Sequence, residues 1–230
     1  MIKIKGVQKL TLLDFPERIA STVFVGGCNF RCPFCHNASL VLPERAGEDI
    51  SEEQFFEFLD SRLGRLSGVC VSGGEPTLYP TLPLFLGKIK EMGYAVKLDT
   101  NGYNPEMLEH LIQRGLVDYV AMDIKNSKER YAQSVGLVEL DVAKIEKSAE
   151  LLKRCGVPFE FRTTVCRELH TEHDIRKIGE WLSGDEKFYL QSFKDSGDIL
   201  CDGYSAYSAE KMAELLAILK EYVPHAELRG

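Results

Sequence analysis

Three thiols, Cys28, Cys32 and Cys35, stand four and three residues apart in the run Cys28-Asn29-Phe30-Arg31-Cys32-Pro33-Phe34-Cys35, with no fourth cysteine nearby. A closed structural zinc site needs four ligands, usually from two separated pairs. An iron-sulfur cube held by three thiolates instead leaves one iron free for a small molecule. The spacing therefore points to a metal cluster with one open position, and to catalysis over scaffolding. Other polar groups gather in short motifs: Ser72-Gly73-Gly74-Glu75-Pro76, Leu98-Asp99-Thr100-Asn101-Gly102, Met122-Asp123-Ile124-Lys125, then Arg162 and Gln191. Gly73 and Gly74 let a strand edge approach a ligand and pair its backbone with an ammonium or carboxylate, with the Glu75 charge beside it; a plain strand-to-helix turn would use the same residues. Asp99, Thr100, Asn101 and Asp123 concentrate oxygens suited to a hard cation. Lys125 can pair with Asp123, with a ligand carboxylate, or in a surface salt bridge. Phe34 can face a purine ring or fill the core, and His36 and Asn37 carry the same ambiguity.

Residues so far apart in sequence need elements that bring them together. Short β-branched and aromatic runs alternate with segments of helical period, the pattern of a parallel α/β fold. Strands are expected near 20–25, 69–72, 95–99, 117–123, 158–164 and 187–191, and helices near 51–63, 81–92, 105–114, 141–155, 172–182 and 209–223. Gly64, Gly93, Gly115, Gly156 and Pro224 mark the breaks. Ser51 with Gln54 forms a capping-box pattern, Asn104 precedes Pro105 at a first helical position, and Phe55, Phe58, Leu59 and Leu63 share a face that should pack on the sheet. Six βα units are fewer than the eight of a closed barrel, so the fold class is α/β, an incomplete parallel (β/α)6 TIM-like barrel. It is expected as a single domain over 1–230, with an irregular lead-in at 1–19 and a C-terminal helix and tail at 206–230. Each polar motif then falls at the C-terminal end of a strand, the edge where parallel α/β folds bind ligands. Two irregular stretches, 37–49 and 193–205, are candidate lids, docking loops or surface insertions.

Composition narrows the class. At 230 residues, with 44% hydrophobic and 27% charged residues, the chain can bury one sizeable core. Its net charge of -7 and lack of a basic run argue against nucleic acid as the main partner. No apolar run approaches the roughly 20 residues that span a bilayer, and the N-terminus lacks a signal-peptide pattern, so a cytoplasmic protein without membrane contact is expected. Seven cysteines in a reducing compartment do not suggest a disulfide framework. Cys70, Cys155, Cys166 and Cys201 read as ordinary buried or half-buried side chains.

With these motifs assembled, the sequence resembles the radical S-adenosylmethionine superfamily, whose CxxxCxΦC signature matches Cys28 to Cys35 with Phe34 at the aromatic position. Within it the chain is similar to glycyl-radical-enzyme activases, most of all the anaerobic ribonucleoside-triphosphate reductase activating proteins. The lead-in Lys9-Leu-Thr-Leu-Leu-Asp-Phe-Pro-Glu-Arg-Ile-Ala20, the segment Val25 to Asn37, then Gly-Gly-Glu-Pro, Asp-Thr-Asn-Gly and Asp-Ile-Lys occur in order, and the likeness covers almost the full chain. The resemblance implies one 4Fe-4S cluster on Cys28, Cys32 and Cys35, its fourth iron chelated by the amino and carboxylate groups of S-adenosylmethionine. It also implies that Gly73, Gly74 and Glu75 hold the methionyl ammonium, Lys125 and Arg162 the carboxylate, and Phe34 and His36 the adenine side. Thr100 and Asn101 belong to the same cofactor edge, and Asp99, Thr100 and Asp123 resemble the monovalent-cation site, for Na+ or K+, of the pyruvate formate-lyase activase. One electron entering the sulfonium breaks its C–S bond, giving methionine and a 5′-deoxyadenosyl radical that abstracts hydrogen from a glycine of a partner enzyme. A low-potential donor such as flavodoxin would supply the electron.

Two departures bear on these expectations. A histidine late in the pyruvate formate-lyase activases helps orient the cofactor, whereas the late strand here ends Tyr189-Leu190-Gln191, so Gln191 takes a related role or none. No extra CxxC pairs lie between His36 and Ser72, so one cluster is expected. Two other readings stay open: a small-molecule enzyme of the 7-carboxy-7-deazaguanine synthase type, and a non-catalytic electron-transfer module with a distant cysteine as fourth ligand.

Overall fold

The computed structural model describes residues 1–42 and 47–229. One sheet carries its strands in sequence order: β1 (Ile4–Thr11), β2 (Ala20–Val25), β3 (Gly68–Gly73), β4 (Ala95–Thr100), β5 (Tyr119–Asp123), β6 (Phe159–Val165), β7 (Lys187–Ser192) and β8 (Ala226–Arg229). β1 runs antiparallel to β2, and every later neighbour is parallel. Among the described residues no pairing joins β8 back to β1, so the barrel is incomplete, as expected.

The helices are α1 (Ala38–Val41), α2 (Glu52–Asp60), α3 (Leu82–Glu91), α4 (Pro105–Gln113), α5 (Tyr131–Ser134), α6 (Val142–Arg154), α7 (Glu172–Leu182) and α8 (Ala209–Lys220). Alternate strand residues such as Val69, Val71, Val96, Leu98, Val120 and Met122 join Phe55, Leu59, Phe85, Leu86, Leu108 and Ile145 of the helices in one buried cluster. The other strand face is polar: Cys70, Lys97, Asp99, Tyr119, Glu160 and Arg162 contact one another across the sheet. Parallel strands are therefore covered on both faces, by helices outside and by each other inside.

Local chemistry accounts for most boundaries. Ser51 Oγ accepts from Gln54 N at 3.1 Å and Gln54 Oε1 accepts from Ser51 N at 3.0 Å, a capping box worth about 1 kcal/mol. Asn104 Oδ1 accepts from Met107 N at 3.2 Å, with Pro105 opening α4. Gly64, Gly93, Gly115 and Gly156 all follow helices with φ between +63° and +88°, conformations that favour glycine.

Several expectations are corrected. The lead-in is not irregular but contains β1, whose residues between Ile4 and Thr11 are at most half-buried and whose pairing is interrupted by bulges, so it shows no clean alternation. The tail ends in β8, only four residues long with Ala226 alone buried, too short a pattern to read. Leu63 is half exposed because α2 ends at Asp60 and leaves it in the following turn. Cys70 and Cys166 are buried and Cys155 half-buried, but Cys201 is exposed. Of the segment 37–49, residues 43–46 lie outside the described residues, and the stretch before them forms α1.

Candidate active site

The thiols sit on the loop after β2, and that loop is gripped from several sides. Gly27 N donates to Leu40 O at 2.7 Å, Glu75 N to Gly27 O at 2.8 Å, and Tyr79 Oη to Gly26 O at 2.6 Å. Arg31 N donates to Val135 O at 2.9 Å, and its guanidinium to Cys28 O at 2.7 Å. From the far side, segment 193–205 is strapped down: Leu200 N donates to Cys35 O at 3.0 Å, Cys201 N to Pro33 O at 2.9 Å, and Asp198 accepts from Ser39. This segment therefore braces the cysteine loop. Ligand side chains held in place by surrounding packing lose less entropy on binding.

Every residue singled out in the sequence lines one cavity of about 400 Å³: Cys28, Cys32, Phe34, Cys35, His36, Gly73, Gly74, Glu75, Asp99, Thr100, Asn101, Asp123, Lys125, Arg162 and Gln191. That volume lies in the range of small-molecule sites. Phe34 is 3% exposed and packs edge-on to His170 at 6.2 Å, as its core reading expects, and it also borders the cavity. The glycines serve a tighter purpose than expected. A Cβ on Gly73 would fall 2.3 Å from Val25 O, and one on Gly74 1.9 Å from Gly27 O, so what approaches closely is the protein's own backbone. Gly74 N is already spent on Val25 O at 2.8 Å.

Glu75 is also turned inward. It is 1% exposed, with Oε1 accepting from Thr77 N and from the Thr77 and Thr100 hydroxyls, and Oε2 from Asn101 N at 2.7 Å. It ties the end of β3 to the end of β4, and burial raises its pKa against those hydrogen bonds. Asn101 in turn donates to Asn29 Oδ1 at 2.8 Å, joining β4 to the cysteine loop.

The floor is an ion-pair chain. Lys97 pairs with Asp99, Arg162 Nη1 lies 3.2 Å from Asp99, Arg162 Nε 2.9 Å from Asp123, and Lys125 Nζ 3.0 Å from Asp123. Burial alone would raise both carboxyls; the Arg162 charge, with Lys97 at Asp99 and Lys125 at Asp123, overrides it and holds both below the usual range. The thiols shift the other way. Burial, reinforced by Glu75, pushes Cys28 up to about 11, and burial lifts Cys32 to about 12 despite Lys125; Cys35 is raised as well. Without metal they are neutral thiols, and metal binding must displace their protons.

Lys97 was not singled out in the sequence, although a lysine two residues before Asp99 in a strand must share its face. His170 was also missed. It is fully buried, with Nε2 2.9 Å from Lys125 O, and nothing near it in sequence signals that contact.

Residues 22–182 match the Radical SAM superfamily. The chain is a radical S-adenosylmethionine enzyme. A Methanocaldococcus jannaschii protein provisionally named a glycyl-radical enzyme activating enzyme is 32% identical over 232 residues, covering 98% of this chain and 95% of that protein. The pyruvate formate-lyase-activating enzyme of Clostridium pasteurianum is 31% identical over 134 residues, 55% of this chain and 53% of its own. Among solved structures, Streptococcus suis SuiB bound to precursor peptide SuiA superposes with a TM-score of 0.70 at 14% identity, covering 89% of this chain and 47% of that one, a likeness of fold alone.

The family carries a 4Fe-4S cluster and S-adenosylmethionine, and the donor set fits both. Three free thiols line the cavity, while Cys70, Cys155, Cys166 and Cys201 do not. Among the described residues no three His, Cys, Asp or Glu side chains converge to hold a single metal ion.

Proposed function

We propose that this radical SAM enzyme installs a glycyl radical on a partner enzyme, anaerobic ribonucleoside-triphosphate reductase. The observation that carries the reading is that three free thiols and the Lys125 and Arg162 cations meet in one cavity at the barrel mouth. When bound, the cluster and S-adenosylmethionine supply a primary carbon radical able to remove a hydrogen from a glycine. Cys28, Cys32 and Cys35 would hold the cluster. Lys125 and Arg162 would meet the cofactor carboxylate. The Gly73-Gly74 edge would take the ammonium through carbonyl oxygens, the backbone groups that can accept from it. Phe34 and His36 would border the adenine, with Thr100, Asn101 and Gln191 completing the wall. The His36 pKa is lowered by burial and then by Lys125, so the ring is neutral at pH 7.

The protein's task is to exclude water and hold one hydrogen against the reactive carbon. Glycine, with no Cβ, suits a partner loop that must reach into an incomplete barrel. The whole chain is read as one domain, cytoplasmic, with a low-potential donor such as flavodoxin. A Na+ or K+ ion on Asp99, Thr100 and Asp123 would have to displace an ammonium or guanidinium from those carboxylates.

The test is to mix reduced, cluster-loaded protein with S-adenosylmethionine and the reductase. A glycyl radical signal in electron paramagnetic resonance is expected; deoxyadenosine without any glycyl radical would favour the small-molecule reading of the deazaguanine synthase type. Loss of the cluster on replacing Cys70, Cys155, Cys166 or Cys201 would favour the electron-transfer module.

A further inference from the structure

The ion-pair chain beneath the cavity holds more cations than anions: Lys97, which lies behind the lining, Arg162 and Lys125 pair with Asp99 and Asp123, three positive groups against two negative, formally +1, while the Glu75 carboxylate stands apart on the cavity wall. Taken oxygen by oxygen, each carboxylate oxygen already accepts from at least one donor. Lys97 donates to Asp99 Oδ1; Ser72 Oγ at 3.0 Å and Arg162 at 3.2 Å donate to Asp99 Oδ2. Arg162 donates to Asp123 Oδ1 at 2.9 Å and Lys125 to Asp123 Oδ2 at 3.0 Å. Thr100, the third expected oxygen donor, turns its hydroxyl to Glu75 at 2.7 Å. A hard metal cation needs several oxygens at once. These residues do not fit one.

Lys97 is the group that makes the difference. Its side chain is 2% exposed, lies 3.9 Å from the Cys70 sulfur and 6.0 Å from the centre of the Tyr119 ring, and is ion-paired with Asp99. Burial keeps the Cys70 thiol far above its ordinary pKa and therefore neutral, so Asp99 is the anion that stabilises the ammonium. A buried ammonium separated from its carboxylate is left as an uncompensated charge, which is strongly unfavourable. An entering metal ion would thus have to displace the Lys97 ammonium from its ion pair with Asp99.

We propose that the Lys97 ammonium is the built-in countercharge of Asp99, occupying the role of an exchangeable Na+ or K+, so that cofactor binding in this chain is independent of monovalent metal cations. The inference rests on reading the cavity as the S-adenosylmethionine site. Lys97 acts as a positioning residue: with Asp99 neutralised from below, Arg162 is free to span Asp99 and Asp123, and the floor keeps a net positive charge toward the cofactor carboxylate. Removing the ammonium leaves two cations against two anions, formally zero.

The experiment measures S-adenosylmethionine affinity of the anaerobic, cluster-loaded protein by equilibrium dialysis, in potassium, sodium or tetramethylammonium chloride at equal ionic strength. Wild type is expected to bind equally in all three, within about twofold. Lys97→Met should bind roughly tenfold more weakly in tetramethylammonium and recover in potassium, while Lys97→Arg should stay near wild type in every salt. Sodium-23 relaxation should show no potassium-displaceable broadening with wild type and should gain it with Lys97→Met. A wild type that loses about tenfold affinity without potassium, or that broadens sodium-23 displaceably, overturns the proposal; so does a folded Lys97→Met indistinguishable from wild type in all salts. Melting curves establish whether the variants fold, and the wild-type measurements decide without them. Absence of cofactor binding in every salt would instead remove the reading of the cavity, and the sodium-23 result on wild type would still decide the role of Lys97.

Discussion

The polar interior of this barrel has two ends, and they handle buried charge differently. At the N-terminal end Glu160, fully buried, accepts from Arg229 at 2.7 and 3.1 Å and from the Tyr119 hydroxyl at 2.9 Å, while Arg229 stacks on Tyr189 at 3.5 Å. One anion meets one cation between two aromatic rings. At the mouth, a chain of two carboxylates and three cations lies beside three neutral thiols, a cavity and the separately hydrogen-bonded Glu75. A matched, walled pair can do little but hold β5, β6 and β8 together. An unmatched, partly open one has charge left over for a ligand, in keeping with the division of labour between the two faces of parallel barrels.

The contrast predicts where each kind of damage appears. The largest effect belongs to the mouth: Cys28→Ala, Cys32→Ala or Cys35→Ala should abolish cluster absorbance, bound iron and deoxyadenosine formation. Cys201→Ala, on the exposed strap beside Pro33, should leave all three in place. Retention of a full complement of iron after any of the three ligand substitutions would break the assignment.

At the closed end Glu160→Ala should cost ~3 kcal/mol, because it strands the Arg229 charge and the Tyr119 hydroxyl, and should lower Tm by roughly 6 to 12 °C. Affinity of the folded variant for S-adenosylmethionine should not change. An affinity loss matching that of a floor variant would show that the two ends are coupled.

Between these extremes lies Glu75, a mouth residue built like the closed end. Both of its oxygens accept from neutral donors, Oε1 from Thr77 and Thr100 and Oε2 from Asn101. Glu75→Gln turns an amide N–H toward one of those donors, and should destabilise by about 1–3 kcal/mol in thermal melts while the cluster still assembles. A variant as stable as wild type would return Glu75 to the role of a charge offered to the ligand.

Glu75 also marks how far the sequence alone could be read. Its motif was legible as a strand end in the cavity, because Val69 to Ser72 is a β-branched run stopped by two glycines; its partners were not, since Thr100 and Asn101 meet it only through parallel pairing of β3 with β4. The strands β2, β4 and β7 were legible to within a residue, β4 and β7 because each lies between two longer helices and β2 because Ala20 to Val25 is a short run with β-branched residues. β1 and β8 escaped because edge strands need bury little, and neither carries the alternation by which a half-buried strand is recognised. Lys97 escaped for another reason: a lysine in a parallel strand reads as a solvated end unless its neighbour on the same face, Asp99, is counted as its partner.

The smallest effect separates the ends by pH. Cys28, Cys32 and Cys35 have folded-state pKa values raised by burial above the ordinary 9.0, so the protonated thiols favour the folded metal-free protein. That contribution is complete below the unfolded pKa and is lost as pH rises through the folded values, about 11 and 12 for Cys28 and Cys32. At pH 9 each such thiol has given up roughly 0.4 kcal/mol, so the three together should lower Tm of the metal-free protein by a few degrees between pH 8 and 9. Cys70 and Cys166, also raised by burial, add to the same slope but line no cavity wall and keep their protons when the cluster is present. Loading the cluster converts its ligands to metal-bound thiolates in the folded state and removes their share alone. The loaded protein should therefore show a shallower alkaline slope than the metal-free protein, and Glu160→Ala should leave the difference between the two slopes unchanged. Equal slopes with and without the cluster would mean that these three thiols are not where the metal is held.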